Sequence, residues 1–168
     1  MKVRYIQYFV EGECEEKLIN TLKSELMVVK TGKVQKLNVI ENEISNARLI
    51  ALRPGTMVVL IFDTDTGNVE ILNRNIKKLS ECSSVADLVL IPQVKNLEDE
   101  LVKSCNTRNI KDLIGSKSNK DFKGDFIRLT NLANKLKDKE FDINLIWKAT
   151  PSSPYQNIKN NSRKIKNL

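Results

Sequence analysis

The chain has 168 residues, of which 40% are hydrophobic and 29% are charged, and its formal net charge is +7. This size and balance are typical of one soluble globular domain, and no apolar run approaches the roughly 18 residues needed to span a bilayer. The sequence contains no histidine, which excludes Ser-His-Asp and Cys-His catalysis, a histidine general base and histidine-ligated zinc. Any chemistry must therefore depend on carboxylates, lysines, hydroxyls and a hard metal ion.

The cysteines and the net charge indicate the compartment and the class of partner. Cys14, Cys82 and Cys105 are an odd number without close pair spacing, which argues for reduced thiols rather than disulfides or a zinc cluster. The apolar run around Gln7 is too short and polar for a signal-peptide core, so we expect a cytoplasmic protein with no membrane contact. The positive charge favours polyanionic partners such as nucleic acid.

The first hundred residues alternate between apolar runs and helical patterns. Strands are predicted at residues 4–10, 33–40, 57–62 and 88–91, the last of which stops at Pro92. Helices are predicted at residues 14–27, 40–51 and 67–79. This alternation is typical of βαβ units. We therefore expect an α/β, Rossmann-like fold with a central, mostly parallel sheet of about four strands flanked by helices.

After Leu97 the pattern becomes mainly helical. Apolar spacing predicts helices at residues 97–105 and 122–136, and the strict alternation from Phe141 to Trp147 predicts a late strand or a short helix end. No acidic residue follows Ile143, which is typical of a loosely held basic tail. The predicted division is an α/β catalytic core (residues 1–95), a helical C-terminal extension packed on it (96–147) and a basic tail (148–168).

Acidic residues follow two of the predicted strands directly. Glu11 and Gly12 come after the first strand, and Asp63 and Asp65 come after the third. Because the carboxyl ends of parallel strands face one crevice, we expect Glu11, Asp63 and Asp65 to converge there. Mg²⁺ in phosphate chemistry is usually held by one or two carboxylates together with substrate phosphate and water. The pattern predicts a magnesium site; the alternative is acids that only form turns or cap the next helix.

Two short segments carry a resemblance to a known family. They are residues 9–12, which end in Glu-Gly before a helix, and residues 60–67, which contain Asp-Thr-Asp. Their order and strand context resemble the Toprim domain, the catalytic fold of topoisomerases, bacterial primases, OLD-type nucleases and ribosomal-RNA maturation ribonucleases. The resemblance implies that Glu11 is an acid or base and a metal ligand. It also implies that Asp63 and Asp65 form a metal-binding pair, with Mg²⁺ or Mn²⁺ as the cofactor.

The resemblance departs from the family pattern in places. Gly67 stands where some members have a third aspartate, which leaves the number of metal ions open. Residues 96–98 loosely resemble the Asn-Pro-x-x-Glu stretch of RloB-like members associated with phage defence, which implies Glu98 as a further metal ligand. The alternative for Glu98 is favourable placement at a helix N-terminus. The Asp-Thr-Asp motif is also similar to haloacid-dehalogenase-like phosphatases, but the residues that follow it and the lack of a later aspartate pair depart from that family.

Basic residues are the candidates for substrate contact. Lys117, Ser118 and Lys120 lie in a polar loop whose ammonium and hydroxyl groups suit a phosphate backbone. The loop lacks the order of a P-loop, and a solvated interhelical loop is the alternative. Aromatic residues do not interleave with the basic clusters, so the sequence does not predict a base-stacking surface.

These features together predict a Toprim-like, Mg²⁺-dependent nuclease that acts on DNA or RNA, in phage defence or nucleic-acid processing. One alternative is a non-catalytic, nucleic-acid-binding or regulatory subunit with the same fold. Another is a nucleotidyl transferase of the primase type, which would require a nucleoside triphosphate. A protein partner and a homo-oligomer are both compatible with the sequence.

Overall fold

Four parallel strands form one sheet in a computed structural model of the chain, which describes residues 1–167. The strands are β1 (Tyr5–Val10), β2 (Lys33–Lys36), β3 (Thr56–Asp63) and β4 (Val85–Gln93). Their order in the sheet is β2-β1-β3-β4, and every neighbouring pair is parallel. The predicted Rossmann-like α/β fold with a four-stranded parallel sheet is therefore confirmed.

Seven α-helices connect and follow the strands within the described residues. They are α1 (Glu13–Ser24), α2 (Asn46–Ile50), α3 (Glu70–Ser80), α4 (Leu97–Ser104), α5 (Ile110–Ile114), α6 (Phe122–Arg128) and α7 (Leu132–Asp138). A 3₁₀ turn at Ser162–Lys164 follows near the C-terminus. None of the helices within residues 1–167 has the length and apolar character that a membrane span requires.

The sheet has a separate apolar core on each face, because alternate strand residues point to opposite sides. In β3, Val59 and Ile61 pack with α1, whereas Leu60 and Phe62 pack on the other side with α3. Helices α1 and α3 therefore leave β1 and β3 toward opposite faces. The gap between β1 and β3 is the topological switch point of the sheet, the position beyond the carboxyl ends of the strands at which open α/β sheets bind their ligands.

Three elements of the C-terminal half differ from the sequence prediction. Strand β4 continues through Pro92 to Gln93, which is tolerated because β4 is an edge strand and needs no donor there. The predicted helix at 122–136 is divided into α6 and α7 by residues 129–131. The predicted strand at 141–147 is wrong, because this segment forms turns against the helices and adds no strand to the sheet.

The prediction of a loosely held C-terminal tail is also wrong for residues 148–167. Tyr155 and Ile165 are buried, and Lys166 forms a β-bridge with Val29 while its ammonium group donates to the Ile146 carbonyl at 2.7 Å. Asn161 N–H donates to a β4 carbonyl at 3.0 Å. Sparse apolar residues inside a basic stretch thus anchor the segment along the β4 edge, which charge patterning does not reveal.

Candidate active site

Glu11 and Asp63 meet at the carboxyl ends of β1 and β3. Glu11 directly follows β1, and Asp63 is the last residue of β3. The Asp63 N–H donates to Glu11 Oε2 at 3.1 Å, and Asn38 Nδ2 donates to Glu11 Oε1 at 3.2 Å. The Glu11 carboxylate is therefore fixed from both sides, at the switch point of the sheet.

Asp63 is held by a buried chain of side chains that starts on the neighbouring strand. Asp63 and Gln93 are register partners on β3 and β4, and Gln93 Nε2 donates to Asp63 Oδ1 at 2.6 Å. The amide oxygen of Gln93 accepts from Trp147 Nε1 at 3.2 Å. Since Gln93 and Trp147 are 0% and 1% exposed, both amide and indole are fixed by packing. The orientation of Asp63 is thus set from the core.

Burial and mutual repulsion raise the pKa values of the acids in this crevice. Burial, and then the charge of Glu11, raise the pKa of Asp63 to about 8, although the bond from Gln93 opposes the shift. Burial also raises the pKa of Glu11, to which the charges of Glu15 and Asp65 contribute. Strongly raised pKa values within a cleft are typical of functional acids. The crevice consequently favours a bound proton or a bound cation.

Asp65 does not join Glu11 and Asp63 as closely as predicted. Strand β3 ends at Asp63, so the rule that residues two apart share a face no longer applies at Asp65, which is exposed in the following loop. Its charge nevertheless contributes to the raised pKa values of both other acids. The loop is fixed nearby by Tyr155, whose hydroxyl lies 2.9 Å from Thr66 Oγ1. The docked C-terminal segment therefore helps to form this side of the crevice.

Glu98 and the buried Glu15 form a second acidic pair beside the crevice. Glu15 Oε2 accepts from the Gly12 N–H at 3.1 Å, and burial and the Glu98 charge raise the Glu15 pKa. Glu98 itself pairs with Lys123 of α6 at 3.2 Å. Glu98 is therefore near the acids, but the structure gives it an ammonium partner.

The loop with Lys117, Ser118 and Lys120 connects α5 to α6. Ser118 Oγ donates to the Asp121 carboxylate at 2.7 Å. Ser116, then Arg128 and to a smaller extent the charge of Lys117 lower the pKa of Asp125. No hydrogen bond or ion pair recorded for residues 1–167 links this loop to Glu11 or Asp63. A role of the three residues in substrate binding stays a prediction.

The sequence analysis missed Asn38, Gln93 and Trp147. Asn38 lies two residues after β2 and Gln93 ends β4, so each of the four strands delivers one polar side chain to the same edge. For Gln93 the sequence contained this signal, because Gln93 is a polar residue directly after an apolar run. Trp147 had no such signal, because its approach to Gln93 depends on the path of the segment after α7.

The donor chemistry of this site suits a hard cation. Within residues 1–167 no group of three or more acidic or cysteine side chains is arranged to hold a metal ion. Two carboxylates, Glu11 and Asp63, lie together, which is the number that commonly holds Mg²⁺ when substrate phosphate and water complete the shell. The two carboxylates, which repel each other in the absence of a cation, therefore fit a Mg²⁺ or Mn²⁺ ion whose coordination shell is completed by other ligands.

Comparison of the chain with protein-family models, with curated proteins and with solved structures gave no match.

Proposed function

We propose that the chain is a Toprim-like, metal-dependent nuclease that cleaves phosphodiester bonds. The observation that carries the proposal is the contact between Glu11 and Asp63 at the switch point of a parallel sheet, with the Asp63 pKa raised to about 8. Ligands of open α/β sheets bind at this position. The order of the acids, Glu11 after β1 and the Asp63–Asp65 pair after β3, is also the order on which the Toprim resemblance depends.

The side chains of the crevice have distinct tasks in this proposal. Asn38 and the Asp63 N–H orient Glu11, and Gln93 orients Asp63. With its raised pKa, Asp63 holds a proton near neutral pH in the metal-free site, and a cation that binds there would release this proton. Glu11 and Asp63 would hold Mg²⁺ or Mn²⁺, which when bound would supply Lewis-acid stabilisation of the phosphate and acidify a water molecule. Asp65 would add negative charge from the exposed loop.

A cavity in the C-terminal segment that is lined by cations supports a nucleic-acid substrate. This C-terminal cavity has a volume of about 640 Å³ and is lined by Trp147 and by Lys148, Lys159 and Arg163. Within the described residues none of these three cations forms an ion pair with a carboxylate. Trp147, which lines this cavity, also donates to Gln93 and so links the cavity to the side chain that holds Asp63. Unpaired cations are suited to hold the phosphates that flank a cleaved bond.

The experiment that tests the proposal is cleavage of labelled single- and double-stranded DNA and RNA with Mg²⁺, Mn²⁺ or EDTA. We expect metal-dependent cutting by the wild type, which also identifies the substrate, and none by Asp63→Ala. The matched control is Asp138→Ala, which removes an exposed carboxylate at the end of α7 and should cut at the wild-type rate.

The outcomes separate the proposed nuclease from its alternatives. Cutting that persists in Asp63→Ala would show that the metal site is wrongly assigned. No cutting of any substrate, together with binding of nucleic acid, would favour a non-catalytic subunit. Product that forms only when a nucleoside triphosphate is added would favour nucleotidyl transfer.

A further inference from the structure

A second cavity lies at the opposite end of the sheet from the acids. It has a volume of about 690 Å³ and is bounded by the first residues of β1, by β2, by the start of β3 and by α2 with the turn that follows it. Cavities of roughly 300–1,000 Å³ are the usual size for small-molecule ligands. We call this site the basic cavity, because the charged residues that line it are Arg4, Lys33, Arg48 and Arg53.

None of the four cations of the basic cavity forms an ion pair with an acidic residue of the part of the chain that the structure describes. The ion pairs recorded for residues 1–167 use other lysines and arginines, and no acidic residue lines the cavity. Four like charges around one cavity repel each other, and an anion that enters relieves this repulsion. Three of the four are arginines, whose planar guanidinium groups donate paired hydrogen bonds to phosphate oxygens.

The wall of the cavity also provides a surface for a flat ring. Tyr5 lines the cavity with 43% of its surface exposed, and the Arg53 guanidinium lies 5.2 Å from the centre of its ring. Aromatic rings and guanidinium planes are the surfaces on which nucleobases stack in proteins. Leu52, buried beside them, adds an apolar contact. This contact between Tyr5 and Arg53 arises from the fold, since the two residues are far apart in the sequence.

A hydrogen-bonding group lies at the floor of the same cavity. The buried Gln7 donates through Nε2 to the carbonyls of Tyr8 at 2.9 Å and Lys33 at 3.3 Å. These two bonds fix the orientation of the amide and use its Nε2 donor. The Oε1 atom is then the part of the amide that would accept a hydrogen bond from a ligand. A fixed amide beside a stacking surface is suited to read the polar edge of a base.

We propose that the basic cavity binds a nucleoside phosphate, with its phosphate on the arginines and its base beside Tyr5. Two sources offer this chemistry: a free nucleotide and one unit of a nucleic-acid strand. The site is separate from the acidic crevice, because the six residues of β1 place the two ends of the sheet roughly 20 Å apart. The inference therefore does not depend on the proposed nuclease activity.

Calorimetric titration of the full chain in EDTA tests the inference without metal-dependent cleavage. The probes are the four ribonucleoside monophosphates, ATP, adenosine, inorganic phosphate, and five-nucleotide DNA and RNA strands. We expect a nucleotide or a strand to bind roughly tenfold or more tightly than adenosine or phosphate alone, since only the linked molecule engages both parts of the cavity. Mononucleotides that bind as tightly as the strands indicate a free nucleotide, and strands that bind much more tightly indicate nucleic acid.

Paired variants locate the binding site. Arg48→Gln with Arg53→Gln should weaken binding roughly tenfold or more. The control pair, Lys77→Gln with Lys103→Gln, removes the same charge from exposed positions on α3 and α4 and should change affinity less than about twofold. Tyr5→Leu should weaken nucleotide binding but not the weak binding of inorganic phosphate.

Two results would overturn the inference. One is the absence of saturable binding of both nucleotides and strands to the wild type. The other is an equal loss of binding in the control pair, which would indicate non-specific attraction to a basic protein. Circular dichroism checks the fold of each variant. Hydrogen exchange of the wild type adds a readout without substitution, because ligand binding should protect residues 31–35 and 46–53.

Discussion

The two ends of the sheet carry chemically opposite sets of side chains, acids at one end and cations at the other. At the carboxyl end, Glu11 and Asp63 lie together, and burial followed by the charge of Glu11 raises the pKa of Asp63. At the amino end, Arg48, Arg53 and two further cations line a cavity that no acidic residue of 1–167 lines. Because the strands hold the ends roughly 20 Å apart, the two sets are too distant to neutralise each other in salt. The overall charge of +7 thus conceals two sites with opposite ligand preferences.

Substitutions at the acidic end should abolish cleavage without affecting the basic cavity. Asp63→Asn and Glu11→Gln keep the shape of the side chains but remove the charge, so each should lower kcat at least roughly a hundredfold. Nucleotide binding at the basic cavity should stay within about twofold of wild type in both. Steady-state cleavage and calorimetry measure the two effects. Loss of nucleotide binding in Asp63→Asn would show that the two ends form one site.

The acidic end should make the protein less stable as pH rises. Asp63 has a folded-state pKa of about 8 against an ordinary value of 3.8, so the folded state binds the proton more tightly. The stabilisation is complete below about pH 4 and is lost as pH rises toward 8. We expect the free energy of unfolding to fall by roughly 1–3 kcal/mol between pH 5.5 and 8.

Urea unfolding at both pH values checks this trend. In Asp63→Asn the fall should be clearly smaller, because the amide does not titrate. Mg²⁺ should restore part of the lost stability of the wild type at pH 8. A wild type that is equally stable at both pH values, or a variant that loses as much as the wild type, would contradict the assigned titration.

The chain from Gln93 to Trp147 should orient Asp63 as well as stabilise the core. Gln93→Leu removes the donor to Asp63 and leaves the Trp147 N–H without its partner, so it should cost roughly 1–3 kcal/mol. It should also shift the pH profile of cleavage upward, because the bond from Gln93 lowers the Asp63 pKa.

Trp147→Phe is the matched control for this chain. It removes the indole donor but keeps Gln93 and most of the packing, so it should lower stability with a smaller shift of the pH profile. If the two variants lose stability while neither moves the profile, the role of Gln93 is structural alone.

Basic residues near the acidic end should show the smallest effects. Lys148→Gln with Lys159→Gln should raise KM several-fold at low salt with kcat little changed, because these residues would contact only phosphate. Lys117→Gln with Lys120→Gln should raise KM less, since Ser118 of that loop bonds to Asp121 rather than to Glu11 or Asp63. Cleavage kinetics at two salt concentrations measure both, and a larger effect of the second pair would place the substrate across the α5–α6 loop.

Local patterning was sufficient to predict the sheet and part of the crevice. The continuously apolar run of β3 is buried on both faces, and the acids after β1 and β3 lie at neighbouring strand ends because parallel strands share one carboxyl edge. Helix boundaries after residue 110 were less predictable. The break between α6 and α7 and the turns before Trp147 follow from packing against the core rather than from periodicity.

Local sequence patterns therefore specify the α/β class, the parallel βαβ units and the placement of Glu11 and Asp63 at strand ends. Each of these features depends on residues close together in the chain. Long-range packing, in contrast, leaves Asp65 exposed, places Trp147 so that it holds Gln93 and Gln93 so that it holds Asp63, and docks the basic C-terminal segment. The contact of Tyr5 with Arg53 likewise depends on the crossover from β2 to β3. These contacts join distant segments, and their free energy depends on packing and burial that no local pattern encodes.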